Sequence, residues 1–117
     1  NVLVLGDRDR LNQVMLNLVM NAIRYNRIDG RVEVGYVVRS NKVEIYVADS
    51  GRGIEEEHLS RIFERFYRVD KERSRTVGGT GLGLAIVKHI IEAHHSQVFV
   101  ESEIGVGSRF SFRLRKM

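Results

Sequence analysis

The sequence predicts an α+β fold, a two-layer sandwich whose mixed, mostly antiparallel sheet is covered on one face by helices. Two observations support this fold. Some segments alternate apolar and polar residues, as strands do, and longer segments repeat apolar residues every three or four positions, as helices do. The 117 residues suffice for one core but not for two, so residues 1–117 are treated as a single domain.

Three helices are predicted. The first covers Asp7–Asn26, with Asp7 as a candidate N-cap, and the others cover Glu55–Tyr67 and Leu82–His94. The segment Lys71–Gly81 has no periodicity and contains three glycines, so it is predicted to be a loop.

Four strands are predicted because apolar and polar residues alternate in them. They form two hairpins, with turns at residues 40–41 and 105–107, and cover Arg31–Val38, Lys42–Ala48, Gln97–Ser102 and Arg109–Leu114.

The composition is that of a soluble globular protein, with 43% apolar and 29% charged residues. No apolar stretch approaches the roughly 20 residues that span a bilayer, and the first residues do not resemble a signal peptide. Any membrane anchor of the parent protein is therefore expected outside this chain. The absence of cysteine excludes disulfides and thiolate metal sites, and fits a reducing compartment.

The net charge of +4 includes a run of basic residues from Arg61 to Arg75. This run allows three interpretations: a solvated helix face, a nucleic-acid patch that uses Phe63, Phe66 and Tyr67, or a basic loop that closes over an anion.

The first chemically suggestive cluster lies on the first predicted helix. Asn17 and Asn21 are four residues apart and share a face, and Arg24 and Tyr25 follow one turn later. Asparagine is a poor helix former. The pair is therefore either two solvated polar positions or a ridge of amide oxygens that faces a hard cation such as Mg²⁺.

Three further clusters follow along the chain. Asp49–Gly53 supplies a carboxylate and glycines that a flat ligand could approach, or simply forms a turn. Phe63–Arg68 alone reads as amphipathic helix. Gly78–Leu84 supplies glycines before a helix start, which suits phosphate binding. This glycine-rich segment is not a P-loop, because it lacks the P-loop lysine, and it is not the dinucleotide motif, because it does not follow a strand. The motifs of eukaryotic protein kinases are also missing from the sequence.

In this order the four clusters resemble the N, G1, F and G2 boxes of sensor histidine kinases. That family belongs to a superfamily with type II topoisomerases, ninety-kilodalton heat-shock chaperones and mismatch-repair ATPases. The resemblance runs from Gly6 to Phe112, and FYRVDKERSR and GGTGLGLAIVKH are most similar to phosphate-sensing and cell-wall-sensing kinases. It implies the Bergerat fold and a catalytic domain that binds Mg²⁺ and ATP. The domain would donate the γ-phosphoryl group to a histidine on a separate dimerisation domain, for relay to a response regulator.

The resemblance also implies roles for individual residues. Asn21 would ligate Mg²⁺, and Asn17, Arg24 and Arg68 would act with it at the phosphates. Asp49 would accept a hydrogen bond from the adenine amine. The remaining implied nucleotide contacts are Tyr25, Gly51, Gly53, Ile54 and Ser108 around the base, Arg73 on a mobile lid over 69–79, and Gly79, Thr80, Gly81, Leu82 and Gly83 around the phosphates.

Asn17 separates kinases from hydrolases within this superfamily, because the hydrolases have glutamate there as the base that activates water. Asparagine cannot take a proton at neutral pH, so slow hydrolysis of ATP is expected. Two alternatives to a kinase remain: a degenerate module that serves only as a partner surface, and a nucleic-acid binder built on the basic run.

Some positions depart from the family pattern. Glu55 and Ser60 stand where proline is usual, and His94-His95-Ser96 replaces a glycine-containing turn. A left-handed helix end is therefore not expected at that turn. No histidine is followed by a phosphoacceptor pattern, so the acceptor is expected outside this chain. By resemblance, the chain is the cytoplasmic domain of a membrane-anchored bacterial kinase. The parent protein is expected to be a homodimer, and this domain is expected to make no contact with nucleic acid or membrane.

Overall fold

A computed structural model describes residues 2–69 and 82–117. It confirms the two-layer α+β class, with helices on one face of a four-stranded sheet. None of the helices in these two ranges is long and apolar enough to cross a membrane. The elements in chain order are α1 Arg8–Arg24, β1 Val32–Arg39, β2 Lys42–Asp49, α2 Glu56–Leu59, α3 Gly83–Ala93, β3 Val98–Glu103 and β4 Gly107–Arg115.

The sheet has the strand order β1-β2-β4-β3, and each of its three pairings is antiparallel. A mixed sheet was expected, but the described strands contain no parallel pair. Val47 lies opposite Val34 on one side and Phe110 on the other, so these three side chains share one face. Residues 3–5 continue the sheet beside the end of β4, where Val4 pairs with Lys116.

The core lies between this face of the sheet and the helices α1 and α3. Its fully buried side chains are Val14 and Leu18 of α1, Val87 and Ile91 of α3, and Val47, Phe110 and Phe112 of the sheet, each at most 2% exposed. The apolar periodicity of α1 therefore matches the face that it buries. The predicted cap is confirmed, because the Asp7 carboxylate accepts hydrogen bonds from the backbone N–H groups of Asp9 (3.1 Å) and Arg10 (3.2 Å).

The prediction of one helix over Glu55–Tyr67 is wrong. Only α2 is α-helical, and the chain then continues in tight turns, with Glu64 N–H bonded to the Arg61 carbonyl at 2.9 Å. Phe66 has a left-handed backbone (φ 65°), which a helix cannot continue through. This path brings the Phe63 ring edge-on against Phe110, with ring centroids 6.1 Å apart, so a core contact outweighs the local helical pattern.

The expectation at the end of α3 is also wrong, because a left-handed residue does end the helix. His95 has φ 62°, and its N–H donates to the Glu92 carbonyl at 3.0 Å, while Ser96 N–H donates to the Ile91 carbonyl at 3.1 Å. These two bonds form a Schellman motif with histidine in the position that glycine usually takes. His94 adds a further link, since its Nδ1–H donates to the Ile90 carbonyl (2.8 Å) and its Nε2 accepts from Asp7 N–H (3.0 Å).

Candidate functional site

A cavity of about 620 Å³ opens on the helical side of the sheet, between α1, the end of β2, the start of β4 and the start of α3. Cavities of this volume are typical of small-molecule sites. Eleven of the predicted site residues line it: Asn17, Asn21, Arg24, Tyr25, Asp49, Gly53, Ile54, Arg68, Leu82, Gly83 and Ser108. The fold thus brings together clusters that are far apart in the sequence.

Five predicted positions do not line the described cavity. Gly51 is buried beside it, and Arg73, Gly79, Thr80 and Gly81 lie outside the described residues. Most of the predicted lid over 69–79 is likewise outside them, and only Val69, which lines the cavity, is described.

One end of the cavity is formed around Asp49, the last residue of β2. Its Oδ1 accepts a hydrogen bond from Gly51 N–H at 2.9 Å, and the backbone N–H of Ser108 also donates to the carboxylate. Partial burial raises the pKa of Asp49, and it outweighs these two donors, which lower the pKa. A half-buried carboxylate of this kind is a strong acceptor for a ligand N–H group.

Two glycines allow the backbone to pack closely at this end. A Cβ on Gly51 would lie 2.6 Å from the Tyr25 carbonyl oxygen and 2.9 Å from Asp49 Oδ1. Gly53 has φ 82°, and a Cβ there would lie 2.3 Å from the Glu103 carbonyl oxygen. Gly53 is therefore required by the backbone conformation and by contact with β3, while Gly51 lets the loop after β2 pack against the end of α1.

The polar ridge of α1 forms one wall of the cavity. Asn17 donates from Nδ2 to the Gly83 carbonyl at 3.3 Å, which connects α1 to the first turn of α3 and leaves Asn17 Oδ1 as the acceptor. Asn21 lines the cavity one turn further along. Amide oxygens are ligands that suit Mg²⁺, so the donor chemistry of this wall fits that ion.

Positive charge collects around the same wall. Arg24 lies in the last turn of α1, and Arg68 follows the turns after α2; both line the cavity. Gly83, the first residue of α3, and Leu82, which precedes it, line the cavity too. The N-terminus of α3 and two guanidinium groups together favour an anion.

The two ends are well separated. Gly51 contacts the Tyr25 carbonyl at the end of α1, whereas Gly83 contacts Asn17, eight residues earlier in the helix. At 1.5 Å per residue, the Asp49 end and the α3 end lie roughly 12 Å apart along α1. The cavity is therefore long, with a carboxylate near one end and an anion-binding region near the other.

Apolar side chains complete the walls between these ends. Besides Val69 and Leu82, the apolar residues that line the described cavity are Leu16, Met20, Ile54, Ile62, Leu84, Ile86 and Phe110. Apolar walls with a few polar groups are typical of sites for flat organic ligands.

Sequence reasoning missed two residues that hold the Asp49 end together. The Arg27 guanidinium donates to three backbone carbonyls: those of Ser50, Gly51 (3.0 Å) and Gly105 (2.8 Å). It thereby joins the end of α1 to the loop after β2 and to the β3–β4 turn. No spacing signal could have indicated this role, because carbonyl partners are present at every residue.

Ser102 is the second missed residue. Its hydroxyl oxygen accepts from Ile54 N–H (2.7 Å) and lies 3.1 Å from the Gly107 carbonyl oxygen and 2.8 Å from Ser108 Oγ. Ser102 thus links the loop after β2 to the start of β4, where Ser108 contacts Asp49. A polar residue at an inward position of a predicted strand was the available signal.

The start of the basic run is partly neutralised within the protein. Arg61 pairs with Glu64 at 3.2 Å and lies over the Tyr67 ring, 4.6 Å from its centroid. Arg68, farther along the run, lines the cavity. The described part of the run therefore does not form one continuous basic surface.

Comparison with known proteins gives consistent matches. A family model described as histidine kinase-, DNA gyrase B- and HSP90-like ATPase matches residues 6–117. The sensor-like histidine kinase SenX3 of Mycolicibacterium smegmatis is 46% identical over 111 residues, which cover 95% of this chain and 29% of that protein. The chain thus spans less than a third of the length of this curated relative.

Solved structures agree with the sequence matches. The mycobacterial sensor histidine kinase MprB superposes with a TM-score of 0.86 at 30% identity, over 98% of this chain and 78% of that one. Full-length ShkA, solved in complex with AMPPNP, superposes with a TM-score of 0.85 at 32% identity, over 100% of this chain and 24% of that one.

Proposed function

Because this chain belongs to the histidine kinase-, DNA gyrase B- and HSP90-like ATPase family and has the fold of histidine kinase catalytic domains, we propose that it binds Mg²⁺–ATP in the cavity as a phosphoryl donor. The acceptor is a histidine on a separate dimerisation domain, and the phosphoryl group then passes to a response regulator. The parent protein is a dimeric, membrane-anchored sensor kinase with this domain in the cytoplasm.

The distribution of charge along the cavity is the observation that carries this proposal. Among the described residues that line the cavity, Asp49 is the only carboxylate, and it lies at one end. The N-terminus of α3 lies at the other end, and Arg24 and Arg68 also line the cavity. Adenine offers an exocyclic amine to a carboxylate, and the triphosphate offers charge to cations and N–H groups. ATP carries both features at its two ends, so it matches the polarity of the site.

Four residues are proposed to hold the adenine. Asp49 accepts a hydrogen bond from the adenine amine, which selects adenine over guanine because guanine has a carbonyl oxygen at that position. Tyr25 and Ile54, which both line the cavity, pack on the ring. Ser108 Oγ lies within the same group of hydrogen bonds as Ser102 and reaches the base through water.

The phosphate end is proposed to work mainly by positioning and charge neutralisation. Asn21, with Asn17 beside it, would hold Mg²⁺, which supplies charge neutralisation across the phosphates when bound. Arg24 and Arg68 and the N–H groups at the start of α3 orient the γ-phosphoryl group. The acceptor imidazole nitrogen attacks phosphorus, the bond to the ADP oxygen breaks, and a base outside this chain takes the imidazole proton. Asn17 cannot act as a base toward water, so ATP persists until the histidine arrives.

The test uses this domain with a separately produced phosphoacceptor domain and radiolabelled ATP. Asn21→Ala is expected to remove phosphotransfer while ADP binding is largely kept, because the adenine contacts do not involve Asn21. Asn12→Ala is the matched control, since Asn12 is an exposed asparagine of the same helix that does not line the cavity. Transfer at the wild-type rate by Asn21→Ala would show that Asn21 is an ordinary polar helix residue.

A second variant separates base recognition from chemistry. Asp49→Ala removes one charge-assisted hydrogen bond, worth roughly 1.5–3 kcal/mol, so ATP affinity is expected to fall about ten- to a hundredfold. Calorimetric titration with ATP and GTP measures this effect. An unchanged ATP affinity would contradict the proposed orientation of the nucleotide.

A further inference from the structure

The edge strand β1 has an exposed, unpaired side that is independent of the proposed nucleotide site. In the order β1-β2-β4-β3, one long side of β1 has no neighbouring strand among the described residues. Its side chains on the helical face remain exposed, at 52% for Val34, 57% for Tyr36 and 43% for Val38. The strand contains neither proline nor lysine, and its pairing with β2 runs without a bulge over eight residues. It therefore lacks the proline, lysine and bulge that often protect a sheet edge from pairing.

The hydrogen-bonding phase of β1 identifies the groups that point away from the sheet. Ser50 N–H donates to the Arg31 carbonyl at 3.1 Å, so the backbone of Arg31 faces β2. Hydrogen-bonded and non-hydrogen-bonded positions alternate along an antiparallel pair. The N–H and C=O groups of Val34, Tyr36 and Val38 therefore point outward. The two-residue turn between Arg39 and Lys42 agrees with this phase, because such a turn is closed by a hydrogen-bonded pair.

The sequence of β1 is complementary to itself in one register. If two copies pair antiparallel with Tyr36 opposite Tyr36, then Val34 faces Val38 of the other copy, and Glu33 faces Arg39. The outward groups of Val34, Tyr36 and Val38 then form hydrogen-bonded pairs. Glu33 and Arg39 fall at non-hydrogen-bonded positions, where opposing side chains are closest. No other register centred on a residue of β1 pairs Glu33 with Arg39.

We propose that β1 is a self-association surface, through which two copies of this chain pair edge to edge about a two-fold axis to form a continuous eight-stranded sheet. The partner is a second copy of this chain, because in the antiparallel register each Glu33 faces Arg39 of the other copy. Such self-complementarity is the requirement for an isologous contact. A single strand pair buries less surface than a standard interface of about 1,600 Å². The association is therefore weak and reversible, and it appears at high protein concentration.

The first measurement is amide hydrogen exchange by NMR at micromolar and millimolar concentrations of the domain. The N–H groups of Val34, Tyr36 and Val38 are expected to exchange quickly when dilute and several-fold more slowly when concentrated. Amides of β3, the opposite edge strand, serve as the internal control. Equal exchange of the three β1 amides at both concentrations would overturn the proposal.

A charge exchange tests the register. Glu33→Lys and Arg39→Glu are each expected to be monomeric in sedimentation at concentrations where the wild type associates, because like charges then face each other. An equimolar mixture of the two variants is expected to associate again, since Lys faces Glu and Arg faces Glu across the heterodimer. Wild-type association of either variant alone, or no recovery in the mixture, would refute the register.

One variant needs a safeguard, because Arg39 also lies 3.6 Å from the buried Glu44, and a glutamate there could destabilise the fold. If Arg39→Glu unfolds, Arg39→Ala replaces it. The expected result is then weaker association than the wild type for Arg39→Ala, with unchanged association for Glu103→Ala on the opposite edge strand. Equal weakening by both variants would contradict a specific role for β1.

Discussion

Arg27 provides the sharpest test of how the Asp49 end is held together. Its guanidinium binds three carbonyls, those of Ser50, Gly51 and Gly105, and so fastens two loops to the end of α1. Hydrogen bonds from charged donors contribute about 1.5–3 kcal/mol when buried. Arg27 is exposed, so when its side chain is truncated, hydrogen bonds from water to the three carbonyls replace part of this stabilisation. We expect Arg27→Ala to lower the free energy of unfolding by about 2 kcal/mol, and Tm by roughly 6–12 °C for a domain of this size.

Urea denaturation and calorimetric ATP titration measure the two consequences. ATP affinity is expected to fall several-fold, because the loops that flank Asp49 lose their common attachment. Arg27→Lys keeps the charge but not the planar fork, so it should recover less than half of the lost stability. Arg8→Ala, an exposed arginine at the other end of α1, is the control. Wild-type stability and affinity in Arg27→Ala, or full recovery by lysine, would refute the reasoning.

Three further predictions concern ionisation and hydrogen bonding. Burial raises the pKa of Asp49, so ionisation of this carboxyl opposes folding as the pH rises through that raised pKa. Asp49→Asn should therefore raise Tm near neutral pH. On acidification, the ATP affinity of the wild type should begin to fall at a higher pH than it would if Asp49 had an ordinary aspartate pKa. Burial would raise the pKa of Glu44, but hydrogen bonds from Arg113 and Arg109 outweigh burial, and the pKa is lowered. The stability that the Glu44 carboxylate contributes is therefore present above its unfolded pKa and is lost as the pH falls through the folded pKa. In acid titrations followed by circular dichroism, Glu44→Gln should lose less stability on acidification than the wild type. Ser102→Ala leaves Ile54 N–H without its acceptor and should cost about 1–3 kcal/mol in urea denaturation.

The fold was largely predictable because its long elements follow strict periodicities. The bounds of α1 and α3 and of the four strands agree with the sequence to within one or two residues, and the Asp7 cap was recognisable from residue type. The structure of residues 55–67 was not predictable, because their apolar spacing suits a helix, while the contact of Phe63 with Phe110 favours a turn. His95 shows the reverse case, where a cap geometry forms without its usual glycine.

The residues of the site were likewise predictable only in part. The resemblance named residues from four distant segments, and eleven of them line one cavity. Gly51 was also assigned to the nucleotide site; it does not line the described cavity, and a Cβ on it would lie 2.6 Å from the Tyr25 carbonyl oxygen. Arg27 was not found because its partners are backbone carbonyls, which any residue type supplies. Ser102 was overlooked, although its inward position in a predicted strand was a signal. Residue patterns indicate which side chains line the cavity better than they indicate which ones support the loops beside it.

The pairing of residues 3–5 with the end of β4 has a practical consequence for engineering. Met117 N–H donates to the Leu3 carbonyl at 2.9 Å, so the two ends of this chain run side by side in opposite directions. A turn of roughly two to five residues could join them as an ordinary hairpin. New termini could then open at the exposed turn of residues 40–41, the kind of position at which circular permutation is best tolerated. A permuted or cyclised domain would keep the cavity intact, since neither change touches a residue that lines it.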